Sequence, residues 1–427
     1  MNIQLDAIRP EDDCFGTVSD RQMLSFPEAV ATALATAVPP GGRETVALSQ
    51  STGRVLATDV LAPSALPRFD HSAMDGYAVH CADFNGREPW MLEVVSSVAA
   101  GEVTSGQHAG FRKAVGINTG ALIPDGFDAV VVQERCSQMG SGRILVTSAP
   151  REGANIRRRG EDVAADTLIA SGGAEISPHH SALFAAMGIK EVSVRPRIRI
   201  AYLATGTELR RPGEPLGPAQ IYDSNCFLVQ SALLKHWAEV HDFGYVPDTL
   251  EAAVRLLEEV AGSFDVIISS GGMSHGPMDF MRAALKTCGA RLSVLNVKMR
   301  PGKPSAFGRL SDSLFIGLPG NPMAAAVALT QLAMPAIRRT AGIMKIGNAW
   351  EVGVADFEYR KRLGLSEFVP VRFSDQSGDL FPSLELLGKG SSGSLLPLAQ
   401  ADGLACLGPD LEVVQHGAAI QFTRFRD

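Results

Sequence analysis

Residues 264–280 read FDVIISSGGMSHGPMDF. An apolar run of strand length ends in a loop of glycine, serine and proline, and an acid precedes the next apolar segment. The run predicts a buried strand whose end opens onto a ligand loop. Its neighbours repeat the arrangement. RIRIAYLATG (197–206) predicts a strand ending in a turn, NCFLVQSALLKHWAEV carries helical spacing, and EVHDFGYVPD (239–248) predicts a second strand. TLEAAVRLLEEVAGSF places apolar residues at 250, 253, 254, 257, 260 and 261, one face of a helix. DFMRAALKTCG predicts a helix, RLSVLNVKM one further strand, and SLFIGLPGNP a strand running into a turn. PMAAAVALTQLAMPAIRR predicts a long apolar helix with Pro322 in its first turn. Strands alternating with helices predict a doubly wound, mainly parallel α/β domain over 197–342.

The flanking sequence has a different texture. Residues 1–20 are polar and aperiodic, a disordered tail. SFPEAVATALATA predicts a helix over 25–37 with Ser25 as its N-cap. YAVH, WMLEVVSSV, AVVVQE and RILVTS are short strand-like runs separated by glycine and proline. They predict a β-rich domain at 66–157, inserted into a small linking domain of mixed helix and strand at 21–65 and 158–196. EFVPVRF, LFPSLELL, GLACLGP and AAIQFTRF predict a C-terminal β-barrel-like domain at 343–427. The chain thus reads as multidomain α/β plus β.

Composition narrows the function classes. The chain has 427 residues, 45% hydrophobic and 20% charged, with a net charge of −7, which argues against bulk binding to nucleic acid or an anionic membrane. No apolar run approaches a membrane span, and the N-terminus MNIQLDAIRPEDD lacks an apolar signal core. The six cysteines are scattered without a C-x-x-C pair. The expectation is a reduced cytoplasmic protein without disulfides or structural zinc.

In an open α/β sheet ligands bind beyond the carboxyl ends of the strands. Those ends here are TGTEL (205–209), VPD (246–248), SSGGMSHGPMD (269–279), MRPGKP (299–304) and GLPGNP (317–322). Glycines allow close backbone approach, and helix starts offer N–H groups to an anion. Arg300 and Lys303 add positive charge. Glu208, Asp223, Asp248 and Asp279 lie in the same loops and would repel an anion unless a hard cation such as Mg²⁺ sits between them. The bland alternative is that each acid is a helix cap. No P-loop motif and no H-E-x-x-H exists. Gly272, Ser274 and Gly276 form G-x-S-x-G, and His416 with Asp402 or Asp410 completes the chain order of a serine hydrolase. About eight loop residues including Pro277 separate strand from helix, however, too many for a nucleophile elbow. IRRRGED (156–162) is either a solvated charged face or an oxyanion clamp.

PRFDHSAMDGYAV, INTGALIPDGFDAVVVQE, NIRRRGEDV, RIAYLATGTEL, IYDSN, DVIISSGGMSHGPMDF, MRPGKPSAFG and GLPGNPMAAAV occur in order between residues 67 and 327. Together they resemble the molybdopterin molybdenumtransferase family, bacterial MoeA and the E domain of gephyrin. The resemblance implies Mg²⁺-dependent insertion of molybdate into adenylylated molybdopterin, with release of AMP. It also implies an elongated homodimer in which the inserted β domain of one subunit faces the α/β domain of the other. Hand-over to other proteins of the cofactor pathway is a family expectation, and scaffolding of partner proteins, as by gephyrin, is the alternative.

Carried over motif by motif, the resemblance assigns functional acids to Asp75, Asp162, Glu208, Asp248 and Asp279, with Glu208, Asp248 and Asp279 at the metal. It assigns substrate contacts to Thr119, to Ser269, Gly271, Gly272 and Ser274 of the glycine loop, and to Arg300, Lys303, Pro319 and Pro322. Arg372 and Ser391 occupy matching positions in the C-terminal domain. The chain departs from the family pattern at Thr207, where TGDEL is usual, and at Pro277, where an acid is usual.

Overall fold

The computed structural model of the chain describes residues 23–103, 110–272, 280–374, 381–388 and 390–425. Its central sheet has six strands in the order Ala238–Val246, Ile198–Thr205, Val266–Ser270, Ser313–Leu318, Ala306–Leu310 and Arg291–Leu295. The first four are mutually parallel, and Ala306–Leu310 is antiparallel to both its neighbours, so Arg291–Leu295 runs in the direction of the first four. From its first strand the chain moves out to one edge, then crosses back to the other side. The switch point therefore lies between Ile198–Thr205 and Val266–Ser270, where Thr205 and Ser270 end adjacent strands.

Alternation along the strands divides the core in two. Ile200, Tyr202, Val266, Ile268 and Ile316 pack on one face against Val229, Val327 and Leu332. Ala201, Leu203, Ile267 and Phe315 pack on the other against Leu257, Met281 and Leu285. Strands covered on both faces read as unbroken apolar runs, which is why VIIS and SLFIGL carry no polar alternation.

The long apolar helix forms as expected, with an internal change of pitch. Pro322–Ala328 and Met334–Thr340 are α-helical, and Leu329–Ala333 between them is a π turn. Pro335 lies two residues past its end; it has no N–H to donate and its ring crowds the preceding turn, so a wider turn there relieves the clash. At the first helix among the described residues, Phe26–Thr36, the Glu28 carboxylate accepts from the Ser25 amide at 2.8 Å and from its hydroxyl at 2.7 Å.

RLSVLNVKM is not one strand. Asn296 takes a left-handed φ of 64° and divides it into Arg291–Leu295 and Val297–Arg300. Asparagine is among the few side-chain-bearing residues that accept this conformation readily. The second half leaves the α/β sheet. It pairs in parallel with Ser366–Ser374 of the C-terminal domain, placing Met299 opposite Ser366 and Arg300 opposite Glu367.

The C-terminal strands close into a barrel. Ser366–Ser374, Ser383–Leu386, Glu351–Ala355, Ala419–Arg424 and Gly403–Leu407 pair in that order, and the last pairs again with the first. The inserted domain is a six-stranded sheet that includes Lys113–Ile117 and Cys136–Met139 in addition to the four expected strands. Cys81, Cys136, Cys226, Cys288 and Cys406 are free thiols. Among the described residues no helix is long and apolar enough to cross a membrane.

Barrel closure depends on a residue without a side chain. A Cβ at Gly403 would lie 2.1 Å from the Thr423 carbonyl oxygen, in the strand beside it. Gly403→Ala is expected to lower stability by roughly 1–3 kcal/mol, the usual cost of overpacking. Chemical denaturation checks this, and an unchanged midpoint would show that the two strands can spread freely.

Candidate functional site

Two adjoining cavities open at the switch point. The smaller, about 350 Å³, is bounded by Gly206, Glu208, Asp248, Gly271, Gly272 and Pro319 among others. The larger, about 870 Å³, shares Thr205, Glu208, Pro304, Pro319 and Gly320 with it, and adds Asp223, Asn225, Ser270, Arg300, Lys303 and Pro322. Chain segments distant in sequence therefore form one continuous wall at the strand ends. Asp279 and Ser274 lie outside the described residues.

The backbone shapes the smaller cavity. Gly271 and Gly272 have φ of 83° and 70°. A Cβ on Gly271 would lie 2.8 Å from Thr205 Oγ1, and one on Gly272 2.9 Å from Met281 Cβ. Glycine is required here by conformation and by space together. Asp248 is held in place, its Oδ2 accepting from the Thr207 amide at 3.0 Å. The Thr207 departure from TGDEL thus removes a carboxylate while its backbone still anchors the neighbouring acid.

The larger cavity has a polar floor. Asn225 Nδ2 donates to Ser270 Oγ at 2.9 Å and to the Gly320 carbonyl at 2.8 Å, tying IYDSN to the SSGG and GLPGNP turns. Asp223 is 3% exposed; Oδ1 accepts from the Cys226 amide at 3.0 Å, and Oδ2 has no partner among the described residues. Asp223 is therefore a cap, as the bland reading allows, and also part of the cavity wall. The C-terminal domain supplies the far side. Asn321 Nδ2 donates to Ser392 Oγ at 3.1 Å, and Ser391 borders a narrow cleft beside Arg300.

The expected set does not all converge. Ser269 is fully buried and borders neither cavity, whereas Ser270 does. Neighbouring residues of a strand face opposite sides, so only one of the pair can serve the site. Arg372 stands in an exposed cross-strand pair with Glu385, 3.5 Å away, and borders none of the cavities; Pro370, two residues earlier, borders the cleft beside Arg300. Asp162 is exposed and borders none of them.

Asp75 and Thr119 form a separate cluster in the inserted domain. Asp75 Oδ1 accepts from the Thr119 amide at 2.7 Å and from its hydroxyl at 3.1 Å. The amide bond first, then the hydroxyl, holds the Asp75 carboxyl below the usual carboxylate range. The glycine of MDG is needed beside it, since a Cβ at Gly76 would lie 2.1 Å from the Val131 carbonyl oxygen.

Neighbouring carboxylates engage two of the three arginine side chains. Arg157 pairs with Glu161, and Arg158 with Asp70 at 2.7 Å; Asp70 also accepts from the Arg159 amide at 2.7 Å. These bonds organise the loop. Among the described residues His416 pairs with Asp356 at 2.9 Å rather than with Asp402 or Asp410, and Asp402 accepts from the Phe373 amide.

A doubly wound domain with its cavity at the switch point, joined to a β insertion and a terminal barrel, defines a class. Comparison with known proteins identifies it. Residues 24–188 match the MoeA N-terminal region (domain I and II), 201–339 a probable molybdopterin binding domain, and 352–425 the MoeA C-terminal region (domain IV). A molybdopterin molybdenumtransferase of Haemophilus influenzae is 38% identical over 303 residues, 71% of this chain and 74% of that protein. Molybdopterin molybdenumtransferase 2 of Mycobacterium tuberculosis is 33% identical over 387 residues, covering 88% of this chain and 94% of its own. The crystal structure of a molybdopterin biosynthesis MoeA protein from Pyrococcus horikoshii superposes with a TM-score of 0.81 at 25% identity, over 95% of this chain and 100% of that one. The chain belongs to the molybdopterin molybdenumtransferase (MoeA) family and is a transferase.

Two outcomes follow from this geometry. Gly271→Ala is expected to cost roughly 1–3 kcal/mol through its left-handed backbone, and to displace Thr205 from the cavity mouth. Denaturation and a crystal structure of the variant check both effects. Thr119→Val keeps the amide donor and loses the hydroxyl, so the Asp75 pKa should rise part of the way to its usual value. The depressed pKa means that the Asp75 contact is complete above the ordinary carboxylate range and is lost as pH falls through the lowered value. Carboxyl NMR titration reads the change; an unmoved titration would show that the hydroxyl contributes nothing.

Proposed function

We propose that the protein inserts molybdenum from molybdate into adenylylated molybdopterin, in the cytoplasm, with release of AMP. One observation carries the reading. Glu208 and Asp248 border one cavity, Arg300 and Lys303 border the next, and the two share a wall of glycine- and proline-rich turns. A substrate joining a pyrophosphate to an incoming oxyanion requires both kinds of surface side by side.

Among the described residues no three His, Cys, Asp or Glu side chains gather closely enough to hold a metal alone. The Glu208 and Asp248 carboxylates still suit Mg²⁺, which is commonly bound by one or two carboxylates and completed by substrate phosphate and water. Asp279 is a further proposed ligand. When bound, Mg²⁺ supplies neutralisation of pyrophosphate charge, which is most of what breaking such a linkage demands. The protein's own groups do the rest. Gly271 and Gly272 let the backbone approach the phosphates, the Thr207 amide orients Asp248, and Arg300 and Lys303 attract and hold molybdate. No protein nucleophile is required, and Ser274 is assigned none.

Purified protein with adenylylated molybdopterin, Mg²⁺ and molybdate should release AMP and form active cofactor. Asp248→Asn should slow both by about a hundredfold, the size of a lost charge-stabilising contact. AMP release untouched by Glu208→Gln and Asp248→Asn would sink the assignment. We also propose that Asp75, Thr119 and Asp162 act in the cleft of a second copy of the chain. Mixing inactive Asp75→Asn and Asp248→Asn proteins would then restore up to about a quarter of full activity, since only mixed dimers contain an intact site. No recovery after subunit exchange would place all the acids within one chain.

A further inference from the structure

A buried carboxylate of the C-terminal barrel faces the cation of the groove, and the reaction as read above assigns it no role. Glu367 is 3% exposed. Its Oε1 accepts from the Tyr359 hydroxyl at 2.6 Å and lies 3.4 Å from Arg300 Nη1. The pairing is built into the backbone, because parallel strands set Arg300 opposite Glu367. We propose that Glu367 is a positioning residue. It holds the Arg300 guanidinium over the groove, so that the remaining donors of Arg300 are presented to a tetrahedral oxyanion, molybdate in the reading above, on which this inference rests.

Several observations favour this role over simple packing. An ionised carboxylate with so little exposure is costly without a counter-ion, and removing the counter-ion leaves that cost uncompensated. Arg300 is the cation paired with Glu367 among the described residues, and its side chain stays 48% exposed where it borders the groove. One guanidinium nitrogen is thus engaged inward while other N–H groups of the fork stay accessible. An arginine held in one orientation loses less conformational freedom on binding an oxyanion than one free in solvent. Lys303, in the same loop, has no side-chain partner among the described residues and carries no comparable constraint. Tyr359 takes part through the same oxygen. Burial first, then its bond to Glu367, pushes its phenol up to about 12, so it remains a proton donor and keeps Glu367 from turning away.

The test is a double-mutant cycle read in two ways. Glu367→Gln keeps the side-chain shape and an acceptor for Tyr359 while removing the charge. In the full-length protein, it should raise both the Kd for molybdate by calorimetry and the molybdate KM about tenfold, the worth of one charge-assisted hydrogen bond, with kcat little changed. In an Arg300→Gln background the same change should add nothing further. An equal effect of Glu367→Gln in both backgrounds, or no effect with Arg300 present, overturns the proposal. So does molybdate binding that is indifferent to Arg300→Gln. Should calorimetry show the expected coupling in a protein that releases no AMP, the reaction assignment fails and the positioning role stands.

Discussion

The site rests on one short strand that changes allegiance. Val297–Arg300 follows directly from the outer strand of the α/β sheet, turns at Asn296 and continues as the parallel neighbour of a barrel strand. Parallel pairing demands a long connection, so it joins segments that folded separately in sequence terms. The MRPGKP loop consequently leaves from a strand fixed by the barrel and ends at the mouth of the α/β cavity. Arg300 and Lys303 owe their position to both domains.

Charge of both signs then lies along one wall without mutual cancellation. Two acids of that wall are held by backbone donors, Asp248 by the Thr207 amide and Asp223 by the Cys226 amide, and Asp75 in the inserted domain is held the same way by the Thr119 amide. An amide donor stabilises a carboxylate without occupying a basic side chain. Arg300 and Lys303 are thereby left with capacity for an anion. In the Arg157–Glu161 and Arg158–Asp70 contacts acid and base pair directly, and those two arginines are committed to loop structure instead.

The MoeA-family fold also places its close backbone contacts where the functional loops begin. Gly76 follows Asp75, and Gly271 and Gly272 follow the central strand Val266–Ser270. In each case a Cβ would meet atoms closer than van der Waals contact. The same glycines that made these loops stand out in the sequence are sterically required by the fold. Binding and packing impose one constraint at these positions.

The sequence by itself determined the repeating strand–loop–helix order, the doubly buried strands and the glycine turns at their ends. Those are local properties: apolar runs of strand length, helical spacing as in 250–261, and residues that alone tolerate left-handed backbone. It also marked Glu208, Asp248, Arg300 and Lys303, since their loops follow directly from strand ends. Tertiary structure decided the rest. Which serine of the SSGG turn meets the cavity depends on strand pleat, and Arg372 was drawn outward because its neighbour across the barrel is Glu385. The break at Asn296 follows from pairing with a strand some seventy residues away. Glu367 carries no local sign of function at all. A carboxylate in a barrel strand acquires meaning only through the arginine that a parallel partner sets opposite it, and that juxtaposition is a property of long-range pairing rather than of any stretch of sequence.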